Sequence, residues 1–139
     1  MKTKKLPDED QQQRKTPLRI LCAEDRPEIR TLLGHMLAHD GYAFECVSDG
    51  QQALDRVTAS PASFDIIITD HHMPHLDGLK LVERLRQTTF AGRILVFSSS
   101  LTRQHRAFYN ELSVDGIFSK PNESRKLLDT LAELQNNAK

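Results

Sequence analysis

Five short apolar runs punctuate this chain: LRILCA (18–23), YAFECVS (42–48), FDIIIT (64–69), RILVFS (93–98) and GIFS (116–119). Between and after them lie stretches in which apolar residues return at helical spacing. After the first run, Pro27 suits a first helical position, Ile29, Leu32, Leu33, Met36 and Leu37 form a stripe, and Gly41 suits the stop. The spacing predicts further helices over Asp49–Ala59 (Ala53, Leu54 and Val57 inward), Leu79–Thr88 (Leu81, Val82 and Leu85), about Thr102–Leu112, and Ser124–Gln135 (Leu127, Leu128, Leu131 and Leu134). The fourth of these five helices is the most polar. Runs such as DIIIT and ILVF are continuously apolar rather than alternating, which suits strands of a parallel sheet covered by helices on both faces. The expected fold class is therefore α/β: a doubly wound, five-stranded parallel sheet. In such open sheets ligands bind outside the carboxyl ends of the strands, at the topological switch point.

That rule makes the residues directly after the strands the ones to inspect. The first strand ends in Glu24 and Asp25, the third in Asp70, the fourth in Ser98 and Ser99, and the fifth in Ser119 and Lys120 before Pro121. Three carboxylates at one edge repel each other unless a cation sits among them, and a hard divalent ion that keeps several waters, Mg²⁺, suits oxygen ligands. Lys120 adds a compact positive charge and Ser98 a hydroxyl donor. A metal, a cation and a donor aimed near one carboxylate are the parts needed to stabilise a phosphoryl group in transfer, which makes Asp70 a candidate nucleophile.

The four signatures CAED, IIITDHHMPHLDG, ILVFSSS and GIFSKP, in that order, resemble the receiver domain of two-component response regulators over about residues 18 to 135. The resemblance implies a (βα)5 flavodoxin-like fold with strand order 2-1-3-4-5. It implies that Asp70 accepts a phosphoryl group from a histidine kinase or a histidine phosphotransfer protein. Asp25, Asp70 and the backbone carbonyl of His72 would ligate Mg²⁺, Glu24 would act through a metal-bound water, Ser98 would meet a phosphoryl oxygen, and Lys120 would pair with the phosphoryl group. The Lys120-Pro121 bond is commonly cis in the family. A downstream protein partner would dock on the fourth helix, fifth strand and fifth helix, with the chain a monomer or a phosphorylation-dependent dimer.

Three positions depart from the family pattern. Ser98 stands where threonine is usual, and Ile117 stands where an aromatic residue usually lies three before the lysine. His72 and Ser100, each two residues past a key position, fall where the family tunes its dephosphorylation rate. Ile117 is stiff and smaller than a ring, and Phe118 should face the opposite side of the sheet. A switch built on this chain should therefore act mainly through the segment from Ser98 to Thr102 and the start of the fourth helix.

Other features fit quieter readings. His35 and His39 share a helix face, and His71, His72 and His75 cluster in sequence, but no cysteine or carboxylate completes a closed transition-metal set, so surface histidines are expected. Asp77-Gly78 reads as a tight turn into the third helix. Cys22 and Cys46 sit in apolar runs, as buried free thiols do. In LTRQHRAFYNEL, Arg103, His105 and Arg106 mix with Phe108 and Tyr109; a docking face is preferred over a nucleic-acid patch.

The formal net charge of zero over 139 residues gives no reason to expect direct nucleic-acid or membrane binding. No apolar stretch approaches the roughly 20 residues of a membrane span, so a cytoplasmic location is expected. Residues 1–17, almost wholly polar, read as a flexible tail before a receiver domain over 18–139. The chain reads as a stand-alone phosphoacceptor that catalyses only its own phosphorylation and dephosphorylation. Two rivals are an aspartate-nucleophile phosphatase, which normally has a second aspartate where His72 stands, and a degenerate receiver serving as an interaction scaffold.

Overall fold

The computed structural model describes residues 16–137. Of the expected 1–17 tail, residues 1–15 lie outside the described residues; Thr16 and Pro17 are exposed, and the Thr16 carbonyl accepts a hydrogen bond from the Gln135 side chain at 2.9 Å. The elements run β1 (Arg19–Ala23), α1 (Pro27–His39), β2 (Ala43–Val47), α2 (Gly50–Ala59), β3 (Ile66–Thr69), α3 (Gly78–Leu85), β4 (Arg93–Ser98), α4 (Arg103–Glu111), β5 (Gly116–Ser119) and α5 (Ser124–Asn137). A short 3-10 turn, Pro61–Ser63, precedes β3. The five strands form one parallel sheet in the order β2-β1-β3-β4-β5. The reversal of strand order falls between β1 and β3, so the residues leaving those two strands flank the crevice.

The continuous apolar runs are explained by burial on both sides. One face of the sheet contributes Leu21, Ile67, Ile94 and Val96, packed with Val57, Leu81, Leu85 and Tyr109 from α2, α3 and α4. The other contributes Ile20, Cys22, Ile68, Leu95, Phe97 and Phe118, packed with Leu33, Leu37, Leu127 and Leu131 from α1 and α5. Phe118 lies in the core, and Ile117 packs from the opposite face, as strand alternation requires. Cys22 is buried and Cys46 half-buried, both as free thiols.

Helix boundaries follow local chemistry. Asp49 and Asp77 cap α2 and α3 by accepting from the backbone N–H groups of Gln52 and Lys80, each at 2.8 Å. Gly41, at φ +86°, takes the left-handed conformation just past α1 that ends many helices. Helix α3 stops at Leu85, short of the Thr88 expected from periodicity: the Gln87 and Thr88 N–H groups bond three residues back, to the Arg84 and Leu85 carbonyls, and the Thr88 hydroxyl donates to the Leu85 carbonyl at 2.6 Å and accepts from Phe90 N–H at 3.1 Å. Leu32, placed in the α1 stripe by spacing, is 46% exposed, since the burial arc of α1 centres on Leu33 and Leu37. Among the described residues no helix is long and apolar enough to cross a membrane.

Candidate functional site

The parallel ladder continues one residue past β1, β3 and β5 and thereby fixes the site. Glu24 N–H donates to the Val47 carbonyl (3.1 Å), Asp70 N–H to the Ala23 carbonyl (2.9 Å), and Lys120 N–H to the Ser98 carbonyl (3.0 Å). Backbone bonds therefore set where these side chains start, before any side-chain contact is made. Carboxylate oxygens of Glu24, Asp25 and Asp70 lie within 4.8 Å of one another. Glu24 and Asp70 are buried, and Asp25 is at the rim. Lys120 crosses from β5 to place Nζ 2.6 Å from Glu24 Oε1 and 3.3 Å from Asp70 Oδ2. Its bond to Pro121 is cis.

Burial pushes the Glu24 carboxyl above its ordinary range. The hydrogen bond from Lys120 opposes that, and the nearby charge of Asp70 adds to it. Ser98 Oγ is buried with no hydrogen-bond partner among the protein atoms. An orphaned buried hydroxyl at the same strand-end level as three carboxylates and an ammonium is a donor waiting for an acceptor.

His72 is exposed, and its ring stands edge-on to that of His71 with centroids 4.7 Å apart. Its side chain is not part of the carboxylate trio.

His71 departs from the expectation of a surface histidine. It is only 5% exposed, while His35, His39, His72 and His75 are exposed. The cause is helix α4. The Tyr109 hydroxyl is hydrogen-bonded to His71 Nδ1 at 2.6 Å, and the His105 ring lies over the His71 ring with centroids 4.2 Å apart. Burial holds the His71 imidazole below its usual range, helped by the neighbouring histidines, and pushes the Tyr109 phenol far above its own. Gly78 closes the same corner: a Cβ there would collide with the Asp70 carbonyl oxygen and sit 2.6 Å from the Tyr109 hydroxyl. Asp77-Gly78 is thus a helix cap followed by a close backbone approach.

His71 and Tyr109 are the residues that motif reasoning passed over. The stripe Leu101, His105, Tyr109, Leu112 at spacings of four and three was the available signal for the inward face of α4. A separate depression of about 680 Å³ at the opposite edge of the sheet, bordered by Leu18, Arg19, Asp65 and Arg93, holds the Arg19–Asp65 ion pair and none of the strand-end residues.

A family model for the response regulator receiver domain matches residues 20–132. This chain belongs to that family. The receiver is 31% identical over 121 residues to the sensory/regulatory protein RpfC of Xanthomonas campestris, a match covering 84% of this chain and 16% of that protein. It is 31% identical over 118 residues to the response regulator MprA of Mycolicibacterium vanbaalenii, covering 85% of this chain and 50% of the relative. The chain thus spans half the length of MprA and much less of RpfC. Among solved structures, the receiver resembles the chemotaxis response regulator CheY4 of Vibrio cholerae with a TM-score of 0.75 at 29% identity, covering 86% of this chain and 99% of that one. A signal receiver domain of a histidine kinase from Syntrophus aciditrophicus matches with a TM-score of 0.77 at 25% identity, covering 88% and 92%. The receiver is therefore a regulatory module of two-component signalling with a CheY-like fold.

Proposed function

We propose that Asp70 accepts a phosphoryl group from the phosphohistidine of a histidine kinase or a histidine phosphotransfer protein, and that the modified domain switches its binding to a downstream protein. The observation that carries this reading is the meeting of Glu24, Asp25 and Asp70 within 4.8 Å beside the Lys120 ammonium, with the unpartnered Ser98 hydroxyl buried at the end of β4, the strand next to β3. The donor set fits Mg²⁺: three carboxylates and one ammonium leave an excess of two negative charges among hard oxygen donors. Asp25, Asp70 and the His72 carbonyl would hold the ion directly and Glu24 through a water. Bound there, Mg²⁺ supplies charge neutralisation for the phosphoryl oxygens.

The chain's own residues supply the rest. An Asp70 carboxylate oxygen forms the new bond to phosphorus as the phosphorus–nitrogen bond of the donor breaks, and the departing imidazole keeps the electron pair. Lys120, which rests on Glu24, is 3.3 Å from Asp70 Oδ2 and so within a small side-chain movement of a phosphoryl oxygen. The Ser98 hydroxyl finds its missing acceptor in another of those oxygens. The docking face lies on α4, β5 and α5, where Phe108 is 40% exposed and Arg106 donates to Ser119 Oγ at 3.1 Å, tying α4 to β5. On this reading the exchange takes place in the cytoplasm, with the protein a monomer or a dimer formed on phosphorylation.

Incubation with a small acyl phosphodonor tests the reading. Incorporation should require Mg²⁺, stop in EDTA and be lost in alkali. Steady turnover of phosphoesters would instead favour the aspartate-nucleophile phosphatase, and no incorporation would favour the scaffold.

A further inference from the structure

We infer that His71 and Tyr109 form a positioning relay that carries the state of the Asp70 carboxylate into helix α4; the inference rests on the phosphoacceptor reading above. Asp70 Oδ1 accepts a hydrogen bond from the His71 backbone N–H at 2.7 Å, and the His71 carbonyl accepts one from Gly78 N–H at 2.8 Å. The backbone of His71 is therefore held on both sides, and on one side by the group that reacts. Conversion of the carboxylate to an acyl phosphate moves the negative charge from the carboxyl oxygens to the phosphoryl group and leaves an uncharged acyl oxygen facing the His71 amide, and a charge-assisted hydrogen bond is roughly twice as strong as a neutral one. The His71 amide then loses much of what aims it.

The His71 ring cannot move alone. It is buried, bonded to the Tyr109 hydroxyl at 2.6 Å, and covered by His105 at a centroid distance of 4.2 Å and a tilt of 42°. Tyr109 is the buried residue of α4 and is fully enclosed, so its hydroxyl depends on His71 where water cannot serve. The corner has no slack either, since a Cβ on Gly78 would lie 2.6 Å from that hydroxyl.

His105 joins the same linkage to the helix start. It lies four residues before Tyr109 on the same helix face; its backbone N–H donates to Thr102 Oγ1 at 3.0 Å, and its Nδ1 accepts from Thr102 N–H at 3.2 Å. The ring that covers His71 is thus half of the α4 capping box. Displacement of His71 bears on α4 at two places, through Tyr109 and through the cap. Closely packed groups of this kind shift together between discrete arrangements instead of deforming gradually. Ile117, partly buried on the same side of the sheet, provides no hydroxyl or ring to share the task.

The test is amide NMR on the full chain with Mg²⁺ and beryllofluoride, a phosphoryl mimic. In the wild type, amides from Arg103 to Glu111 should shift along with those from Asp70 to Met73. Tyr109→Phe should keep the response at Asp70–Met73 and Lys120 but lose at least about threefold of the response in α4. His71→Asn, whose side-chain amide stands near the place of Nδ1, should keep at least half of the α4 response, a rescue that a purely space-filling role for His71 does not give. An α4 response in Tyr109→Phe equal to wild type overturns the relay, as does a wild-type response confined to the surroundings of Asp70. No wild-type response at Asp70 overturns the phosphoacceptor reading itself, and the relay with it.

Discussion

Replacing Lys120 by methionine keeps much of the side-chain volume and strands Glu24. In the resting protein Lys120 Nζ is 2.6 Å from Glu24 Oε1, with only 9% and 1% of the two side chains exposed. Without the ammonium, the remaining donor to the Glu24 carboxylate is Arg26 N–H, 3.2 Å from Oε2. Removing one partner of a buried ion pair costs about 3–5 kcal/mol. The lower end applies because Glu24 can escape the penalty by taking up a proton, so a loss of about 3 kcal/mol near neutral pH is expected. For a domain of this size that is a melting point lower by about 12 °C, at roughly 4 °C per kcal/mol.

The pH dependence has a definite sign. Burial and Asp70 both raise the Glu24 carboxyl, and Lys120 lowers it. In Lys120→Met only the raising causes from those groups remain, so the folded-state value climbs further above the unfolded one. Such a carboxyl contributes stability below its unfolded value of about 4.3, and that contribution is lost as pH rises through the folded value. The deficit relative to wild type should be largest near pH 8 and shrink towards about pH 5. Urea denaturation in EDTA across that range measures it directly. A deficit below about 1 kcal/mol, or one that does not vary with pH, would refute the account of Glu24 and Lys120 as a buried, mutually dependent pair.

Three further perturbations probe other parts of the site. Ser98→Ala removes a buried hydroxyl that has no partner, so resting stability should be unchanged or up to about 1 kcal/mol higher while phosphorylation from a small donor slows by about tenfold or more; a marked loss of stability in urea melts would show a hidden partner. Gly78→Ala should cost about 3 kcal/mol, because the new Cβ meets the Asp70 carbonyl and the Tyr109 hydroxyl, and a wild-type melting curve would contradict that close packing. Asp25→Ala should weaken Mg²⁺ binding by more than Glu24→Ala does, as read by titration calorimetry, since a direct ligand loses more than one acting through water; the reverse order would exchange their roles.

Much of this architecture is written in local patterns. The apolar runs at 66–69 and 93–98 are strands because both faces are covered, with Phe64 and Asp65 of the expected FDIIIT strand lying just before β3, and the helices lie where apolar residues recur at helical spacing. The strand-end residues were legible for the same reason: a parallel sheet brings every carboxyl end to one edge, so Glu24, Asp25, Asp70 and Lys120 meet there, with Ser98 at the end of β4 on the same edge, although they span most of the chain. Less legible were features that depend on how one layer meets another. Leu32 fits the helical period yet faces outward, because periodicity gives a stripe but not the width of the surface that covers it. His71 looks like a surface histidine in sequence and is buried, because its partners Tyr109 and His105 lie more than thirty residues away on a helix that reads as mostly polar. The early stop of α3 comes with a tightened last turn, Gln87 and Thr88 N–H bonding three residues back, and a threonine hydroxyl on the same Leu85 carbonyl, which no apolar pattern encodes.

The central claim is that Asp70 is the phosphoacceptor, and locating the phosphoryl group tests it most directly. The protein is charged with a small phosphodonor and Mg²⁺, then treated with borohydride, which reduces an aspartyl phosphate to homoserine, and its peptides are sequenced by mass spectrometry. The account predicts homoserine at position 70 in the wild type and at no position in Asp70→Asn. Homoserine at another aspartate, or phosphoryl incorporation undiminished in Asp70→Asn, would contradict it.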